Sequence, residues 1–379
     1  MVVVPLLFSA LVLGVSEIGE AKRFGRVGLR SLLMTVLLSG IAVVIGLAVV
    51  NVFRPGERIP PEQRQTLIAQ YRDPKAAAKN LDAAKTAPED PPALGIVPKN
   101  PFKEMSRALE GGLLPFMFFA LIFGLALASI EAERAQPVKA VLDGIFGASL
   151  KIVDWAMRLA PFGVFFLVFT ATASLGIDIL KALGVYALIV LGALAFHQFV
   201  VYSIVLKTIG KRSPVQFFRQ VRTVMLTAFA TSSSNATLPT ALETAQQDMG
   251  LPKDISSFVL TVGATANQNG TALFEGITIL FLAQLFGVDL TLLQQLQVMG
   301  LAIVAGIGTA GVPGGAWPFI ASILVMLGIP AEGIGLILGI DRLLDMSRTV
   351  LNVTGDIAIA ACVSAMEHRT EHETAAAFA

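Results

Sequence analysis

Two uninterrupted apolar runs limit this chain to a fold embedded in a bilayer. Residues 31–52 and 183–206 each exceed the roughly 20 apolar residues that carry a helix across the hydrocarbon core. Of the 379 residues, only 15% are charged, whereas soluble domains carry about 25%. Shorter runs at 113–130 and 159–175 predict further spans, the second continuing backward through the amphipathic stretch 141–158. We therefore expect an all-α, multi-span integral membrane protein of the cell membrane.

The rest of the composition excludes several classes of function. The formal net charge is only +1, so nothing indicates a nucleic-acid partner. A lone Cys362 excludes an internal disulfide framework and a cysteine-based zinc site. The serine run at 232–234 lacks a G-x-S-x-G context, and His197 stands alone in an apolar run. We expect neither an enzyme nor a bound cofactor.

Lysine and arginine in the short loops predict the orientation in the membrane. Basic residues cluster in the loop before the run 31–52 and in the loop after the run 183–206, and such loops are usually cytoplasmic. They are Lys22, Arg23, Arg26 and Arg30, then Lys207, Lys211, Arg212, Arg219 and Arg222. Residues 54–110 then lie outside, with 57–98 as an external insertion rich in proline, alanine and charge. The apolar start, 1–15, is too short for a span and is expected to be the second half of a helix whose first part is missing.

The second half of the chain differs, because its apolar runs are broken by small and polar residues. Breaks occur at SSSNATLP (232–239), NQNGTALFEG (267–276) and GIGTAGVPGG (306–315). Irregular backbone at membrane depth is tolerated only when it is buried in protein or lines a cavity. Pairs of such interruptions in successive halves are typical of transporters with discontinuous helices and inverted repeats. Ordinary helices joined by polar loops are the alternative, which is less favoured because the motifs lie within apolar stretches.

The last apolar run, 339–363, carries five polar residues at offsets of 0, 4, 7, 11 and 15 from the first. These offsets fall within about 80° of one helix face. They belong to Asp341, Asp345, Arg348, Asn352 and Asp356. An ionised group at mid-membrane is costly, so such a face lines a cavity or pairs internally. An Asp345–Arg348 ion pair that only joins helices is the simpler alternative.

The chemistry of this face suits an acidic amino acid. A guanidinium matches a carboxylate bidentately, and a nearby aspartate can bind an ammonium group. Helix N-termini could receive a second carboxylate. Asp356 and Asn267 offer oxygen ligands of the kind that a small cation prefers.

The broken segments and DRLLDMSRTVLNVTGD (341–356) resemble the signature segments of the glutamate/aspartate transporter family, the dicarboxylate/amino acid:cation symporters. The likeness extends through nearly the whole chain. It implies a homotrimer in the lipid bilayer, in which each protomer has a static scaffold and a transport domain that moves as an elevator. It also implies two re-entrant helical hairpins, near 213–250 and 296–335, and the absence of the first of eight membrane helices.

The resemblance divides the chain as follows. Residues 1–16 would be a partial scaffold helix, 17–53 a transport-domain helix, 54–180 the external loop and the scaffold helices of the trimer, 181–366 the transport domain and 367–379 a cytoplasmic tail.

The resemblance also implies the site residues. Asp345 would bind the substrate amino group and Arg348 its side-chain carboxylate, and Ser234 would meet the α-carboxylate. The other substrate-binding residues would be Thr271, Val312, Thr349 and Asn352. One sodium site would comprise Gly263, Asn267, Asn352 and Asp356, and a second would comprise Thr265, Ile307 and Thr309.

Several positions depart from the family pattern. Asn269 replaces an aspartate that binds a third sodium ion, and Leu38 stands between Thr35 and Ser39 where a hydroxyl is expected. Gln268 replaces a methionine, and the two positions that usually offer an extra arginine are Ser232 and Met346. Coupling to sodium, to protons, or to both stays open. The candidate proton acceptors are Asp341, Asp356 and Glu275, because a desolvated carboxylate can retain a proton. A C4-dicarboxylate:cation symporter is the alternative function.

Overall fold

The structure is a computed structural model. It describes residues 25–59, 97–98, 100–106, 113–175, 178–308 and 314–377, together with 4–5, 8–9, 11–13, 16 and 65. Throughout these ranges the regular secondary structure is helical. Most of the expected external insertion, 57–98, lies outside the described residues.

The helices follow the apolar runs of the sequence. They are α1 (Arg26–Phe53), α2 (Pro101–Ser106), α3 (Leu113–Ser129), α4 (Ala132–Leu175), α5 (Asp178–Phe196), α6 (Tyr202–Thr208), α7 (Pro214–Gln220), α8 (Arg222–Thr231), α9 (Ser234–Glu243), α10 (Lys253–Ala266), α11 (Asn269–Phe286), α12 (Leu292–Gly308), α13 (Trp317–Met326) and α14 (Ile334–Ala377). The runs 31–52 and 159–175 lie within α1 and α4, and the run 113–130 is helical as far as Ser129 in α3. That 113–130 and 159–175 span the membrane stays a prediction.

Four helical segments are long and apolar enough to cross a membrane, counting only the described residues. They are Arg26–Glu57, Ile179–Thr208, Lys253–Phe286 and Ala331–His368. In the apolar stretches of the last two, 94% and 83% of the residues are buried, against 50% and 44% in the first two. The two segments that carry the motif 267–276 and the polar residues of 341–356 are therefore the central ones, and the other two are the outer ones.

The interruptions predicted from the sequence are breaks between helices. Residues 232–233 separate α8 from α9, and residues 267–268 separate α10 from α11. Helix α12 ends at Gly308 and α13 begins at Trp317, so the glycine-rich stretch also divides two helices.

Two irregularities in the described helices were not predicted, and both are π-helical turns: one, Thr244–Asp248, follows α9, and the other lies in the run 183–206. The run 183–206 contains a π-helical turn at His197–Val201 between α5 and α6. No proline or glycine marks this turn, whereas the three predicted breaks contain serine, asparagine or glycine clusters.

Small and hydroxyl-bearing residues let α1 approach the central helices. Ser31, Thr35 and Ser39 recur every fourth residue, so they stack on one buried face of α1. Further along α1, a side-chain methyl at Gly46 would lie 3.2 Å from the Ile277 side chain of α11. Close backbone approach at small residues is the usual packing mode of membrane helices.

The described core forms one large cluster, a smaller one, and a third of only three buried residues, Val43, Ala272 and Ala302. The large cluster joins α1, α5, α8, α10, α11 and α14. The smaller one contains Leu11, Val12, Phe116 and Leu127, and it meets the rest at Ala305 and Phe319 of α12 and α13. At one end of the bundle, Arg30 of α1 donates to Glu367 of α14 at 2.7 Å. This ion pair places the start of α1 and residue 367 at the same end of the bundle.

Candidate functional site

The polar face of α14 is turned into the protein. Its five side chains are each at most 5% exposed: Asp341 4%, Asp345 5%, Arg348 3%, Asn352 2% and Asp356 2%. They lie in a segment long enough to span a bilayer, where burial of a charge is costly unless it has a partner. The structure supplies those partners from the broken segments of the neighbouring helices.

Arg348 is the centre of a buried charge cluster. Its Nε and Nη2 atoms lie 2.9 Å and 2.8 Å from Oδ1 of Asp345, and Nη1 lies 3.7 Å from Oδ1 of Asp341. Its guanidinium carbon is 4.3 Å from the ring centroid of Phe274, in a cation–π contact. Thr349 Oγ donates to the Asp345 backbone carbonyl at 2.8 Å. The cluster therefore holds the guanidinium between two carboxylates and against an aromatic face.

Trp317 connects this cluster to the second broken segment. Its indole Nε1 donates to Oδ2 of Asp341 at 2.8 Å, and its ring meets Phe274 edge-on with centroids 5.7 Å apart. Trp317 is the first residue of α13, directly after the glycine-rich stretch. The start of α13 is thereby tied to the polar face of α14.

Two polar atoms of the cluster have unused hydrogen-bonding capacity. Nη1 of Arg348 and Oδ1 of Asp341 are buried, and neither has a hydrogen-bond partner among the described residues. Buried polar groups are nearly always hydrogen-bonded, so unpaired ones indicate a ligand, a water or an ion that completes the arrangement.

The first broken segment offers similar groups. Ser232 has a left-handed backbone conformation, with φ of 52°, and it ends α8, while Ser233 caps α9 by accepting from the Ala236 amide at 3.3 Å. The hydroxyls of Ser232 and Ser234 are buried without a hydrogen-bond partner in the described part of the chain. Helix α9, which Ser234 begins, packs against α14. A helix N-terminus with a free hydroxyl favours a negatively charged group.

Asn352 ties α14 to the break between α10 and α11. Its Oδ1 accepts from the Gly270 amide at 2.7 Å, and its Nδ2 donates to Oε1 of Gln268 at 2.6 Å and to Oγ of Thr271 at 3.2 Å. A Cβ atom at Gly270 would lie 2.6 Å from the Arg348 backbone carbonyl oxygen. Glycine is therefore required for this close approach of the two segments.

Asp356 and Asn267 form a second polar centre. Nδ2 of Asn267 donates to Oδ1 of Asp356 at 2.7 Å, and Oδ1 of Asn267 has no hydrogen-bond partner among the described residues. A side chain at Gly263 would collide with the Asp356 carboxylate. A cavity of about 20 Å³, lined by Gly263, Asn267, Asp356 and Thr35 among others, adjoins this centre. That volume is enough for one water-sized particle.

At Asn269 the structure shows a closed hydrogen-bond chain. Ser39 donates to Oδ1 of Asn269 at 2.6 Å, and Nδ2 of Asn269 donates to the Tyr202 hydroxyl at 3.2 Å. Tyr202 in turn donates to the Leu351 carbonyl at 3.1 Å. Both ends of the Asn269 amide are thus used within the protein, and its nitrogen cannot act as a cation ligand.

Ser234 begins α9 with a buried hydroxyl that has no hydrogen-bond partner among the described residues, and the other predicted residues fall into three groups. Asp345, Arg348, Thr349, Asn352 and Thr271 are connected through the contacts above, and Gly263, Asn267 and Asp356 form the neighbouring centre. Thr309 and Val312 lie outside the described residues, as do the side chains of Thr265 and Ile307.

Three partners of the site were not predicted from the sequence. Trp317 and Phe274 belong to the Arg348 cluster, and Tyr202 belongs to the Asn269 chain. A buried tryptophan or tyrosine in an apolar helix needs a hydrogen-bond partner for its N–H or O–H group. The sequence could therefore have indicated polar partners for Trp317 and Tyr202, but not the contact of Phe274.

Comparisons with known proteins show the family to which the chain belongs. The sequence profile of the Sodium:dicarboxylate symporter family matches residues 1–366. A relative named proton/sodium-glutamate symport protein, from Bacillus subtilis, is 36% identical over 97% of this chain and 83% of its own length. The proton/glutamate-aspartate symporter of Escherichia coli is 33% identical over 100% and 85%, and a C4-dicarboxylate transport protein of Anaeromyxobacter is 29% identical over 100% and 83%. The chain is a multi-pass membrane protein, and it belongs to the sodium:dicarboxylate symporter family, whose members are transporters and not enzymes.

Proposed function

We propose that this protein is a secondary active symporter that moves an acidic amino acid, glutamate or aspartate, across the membrane together with sodium ions, protons or both. The observation that carries the proposal is the buried Arg348, which is held between two carboxylates and keeps an Nη1 atom that has no hydrogen-bond partner among the described residues. The names of the relatives from Bacillus subtilis and Escherichia coli support the same substrate class.

The substrate would bind by exchanging partners within the Arg348 cluster. Its side-chain carboxylate takes the free and shared donors of Arg348, and its ammonium group compensates Asp345, which loses part of its ion pair. The α-carboxylate meets Ser234 at the N-terminus of α9, while Thr271, Val312, Thr349 and Asn352 complete the substrate contacts. A ligand that carries both charges therefore leaves no buried ion without a partner. This is favourable because removing one partner of a buried ion pair costs about 3–5 kcal/mol.

Local charge gives a physical reason for coupling to cations. With all three groups ionised, two carboxylates and one guanidinium leave the cluster with an excess negative charge. An acidic amino acid adds one more negative charge in a site of low dielectric constant, where like charges repel strongly. A cation bound nearby removes this penalty, so cation binding should precede or accompany substrate binding.

Two cation sites would serve this role. Asp356, Asn267, Asn352 and Gly263 form the first, at the centre next to the small cavity. Thr265, Ile307 and Thr309 would form the second. Carboxylate, amide and carbonyl oxygens are the ligands that hard cations prefer. These ions are transported with the substrate and are not resident cofactors.

Transport would require the second broken segment to move. Re-entrant hairpins built from α8–α9 and α12–α13 would enclose the substrate, with α13 held at Trp317 in the present conformation. The transport domain (17–53 and 181–366) would slide as an elevator past a scaffold (1–16 and 54–180) that forms a homotrimer in the lipid bilayer. Residues 367–379 would be a cytoplasmic tail.

A C4-dicarboxylate:cation symporter is the second candidate, favoured by the relative from Anaeromyxobacter. A dicarboxylate has no ammonium group, so it would draw Arg348 away from Asp345 and leave that carboxylate uncompensated. Asp345 therefore favours the amino acid.

A binding titration separates these candidates. Purified protein is titrated with aspartate, glutamate and succinate, each with and without sodium, by isothermal calorimetry. The proposal expects saturable binding of aspartate or glutamate and at least tenfold weaker binding of succinate. If the substrate is a dicarboxylate, succinate binds more tightly than aspartate and glutamate. If none of the three binds, both candidates are contradicted.

A further inference from the structure

A second cavity lies on the opposite side of the α14 backbone from the charge cluster. It is an open, groove-like cavity with a volume of about 350 Å³, and its walls are α5, the π-helical turn, α8 and α14. Its lining is almost entirely apolar: Leu191, Leu194, Ala195, Phe199, Met225, Leu226, Phe229, Val350 and Leu351, with Gln198 and Ser347 as the polar members. Phe199 and Leu226 are 52% and 63% exposed, in or beside membrane-spanning segments, so the cavity opens toward the surrounding lipid.

Among the lining residues, Gln198 is the one whose side-chain amide lacks hydrogen-bond partners in the described part of the chain. It is 4% exposed, and neither its Nε2 nor its Oε1 has a hydrogen-bond partner among the described residues. Ser347, by contrast, donates to the Leu343 carbonyl at 2.8 Å. Gln198 belongs to the π-helical turn His197–Val201, and such turns in α-helices occur frequently at functional sites. A buried amide with no partner beside an apolar cavity indicates an apolar ligand that carries one hydrogen-bonding group.

The depth of Gln198 restricts the ligand further. In the segment Ile179–Thr208, Gln198 lies within about 7 Å of the middle, at 1.5 Å per residue. The polar groups of a phospholipid lie at the edges of a hydrocarbon core about 30 Å thick, so they do not reach this depth. The cavity holds about a dozen non-hydrogen atoms, taking about 30 Å³ for each. A neutral molecule of this size that dissolves in the bilayer meets both limits.

We propose that this cavity is a binding site for a neutral lipophile of about a dozen non-hydrogen atoms, whose carbonyl or hydroxyl group hydrogen-bonds to Gln198. The site is separate from the proposed substrate site but touches the same helix turn. Val350 and Leu351 line the cavity, whereas Arg348 and Asn352 face the substrate side. An occupant would therefore press on the segment that holds the substrate-binding side chains.

The test uses 6-undecanone, whose carbonyl lies at mid-chain, and undecane, which has the same chain without it. Binding of tritiated 6-undecanone to the full chain in lipid nanodiscs is measured by scintillation proximity, with empty nanodiscs subtracted and undecane as competitor. We expect saturable binding, with the ketone preferred to undecane by about fivefold or more, as one buried hydrogen bond provides. Gln198→Leu should abolish that preference while retaining binding of both molecules.

Two further variants locate the site. Leu226→Trp should narrow the cavity and weaken ketone binding at least tenfold. Leu188→Trp is the matched control, because Leu188 is 71% exposed on α5 and does not line the cavity, and it should bind the ketone normally. Non-saturable binding, equal binding of ketone and undecane to the unaltered protein, or normal binding by Leu226→Trp would each overturn the proposal. The comparison of the two tryptophan variants decides the question even if Gln198→Leu fails to fold.

Discussion

At the scale of single residues, the proposed binding of substrate depends most on Arg348. Replacing it with cysteine removes the only cation described in the cluster and leaves Asp341 and Asp345 facing each other. We expect Arg348→Cys to bind aspartate and glutamate at least a hundredfold more weakly and to accept small neutral amino acids, because the partner of the substrate carboxylate is lost. Equilibrium binding with aspartate, glutamate and serine measures this change.

Arg342→Cys provides the control for this substitution. Arg342 lies on the same helix six residues earlier, but its side chain is exposed. It should bind aspartate as the unaltered protein does. Unchanged aspartate affinity in Arg348→Cys would contradict the role assigned to the guanidinium.

Asn269 tests the coupling to cations at the same scale. Its nitrogen donates to Tyr202, whereas a carboxylate there would offer an oxygen ligand beside Ser39. We expect Asn269→Asp, combined with Leu38→Ser to supply the missing hydroxyl, to steepen the dependence of aspartate affinity on sodium concentration. The Hill slope of that dependence is the measurement. An unchanged slope in the double variant would show that this position does not limit the number of coupled sodium ions.

The sequence predicted the membership of the site better than its internal contacts. Asp341, Asp345, Arg348, Asn352 and Asp356 could be assigned to one face because helical periodicity is a local property. The contact between Trp317 and Asp341 joins residues on different helices across a break, so it depends on how the two segments pack. Periodicity within one helix carries no information about that packing.

At the scale of secondary-structure elements, the helix breaks matter most, because they bring side chains of neighbouring helices to the polar face of α14. The contact from Trp317 to Asp341 is the described hydrogen bond between the side chains of α13 and α14. Trp317→Phe keeps an aromatic ring beside Phe274 but removes the donor. We expect aspartate affinity to fall about two- to tenfold, and amide hydrogen exchange to rise in residues 314–326, because one buried hydrogen bond is lost.

Trp155→Phe is the control for this element, since Trp155 is the other tryptophan of the chain and is 58% exposed. It should change neither aspartate affinity nor exchange in α13. If Trp317→Phe also left both unchanged, the hydrogen bond would not be what holds the start of α13 against α14.

The elements themselves differ in how far the sequence determined them. The breaks at 232–233 and 267–268 were predictable because serine, asparagine and glycine interrupt apolar runs. The π-helical turn at His197–Val201 was not, because its residues are apolar or isolated polar ones with no local breaker. Across the turn, the His197 and Tyr202 rings lie with their centroids 5.0 Å apart.

At the scale of the whole molecule, the two central segments carry the polar chemistry, and the outer segments isolate it from lipid. Segments Lys253–Phe286 and Ala331–His368 are largely buried, while Arg26–Glu57 and Ile179–Thr208 are about half exposed. A polar centre shielded in this way can change its ligands without exposing ions to the hydrocarbon core. Symport then requires that cations and substrate occupy the centre together before it changes sides.

Gradient-driven uptake in proteoliposomes shows whether cations and substrate cross the membrane together. Radiolabelled aspartate is supplied outside vesicles under an inward sodium gradient at equal pH, under an inward proton gradient without sodium, or with neither gradient. We predict that aspartate accumulates above its external concentration under at least one gradient, and that Arg348→Cys abolishes the accumulation. If aspartate merely equilibrates under every gradient, or accumulates equally well in Arg348→Cys, the protein is not a symporter that acts through this site.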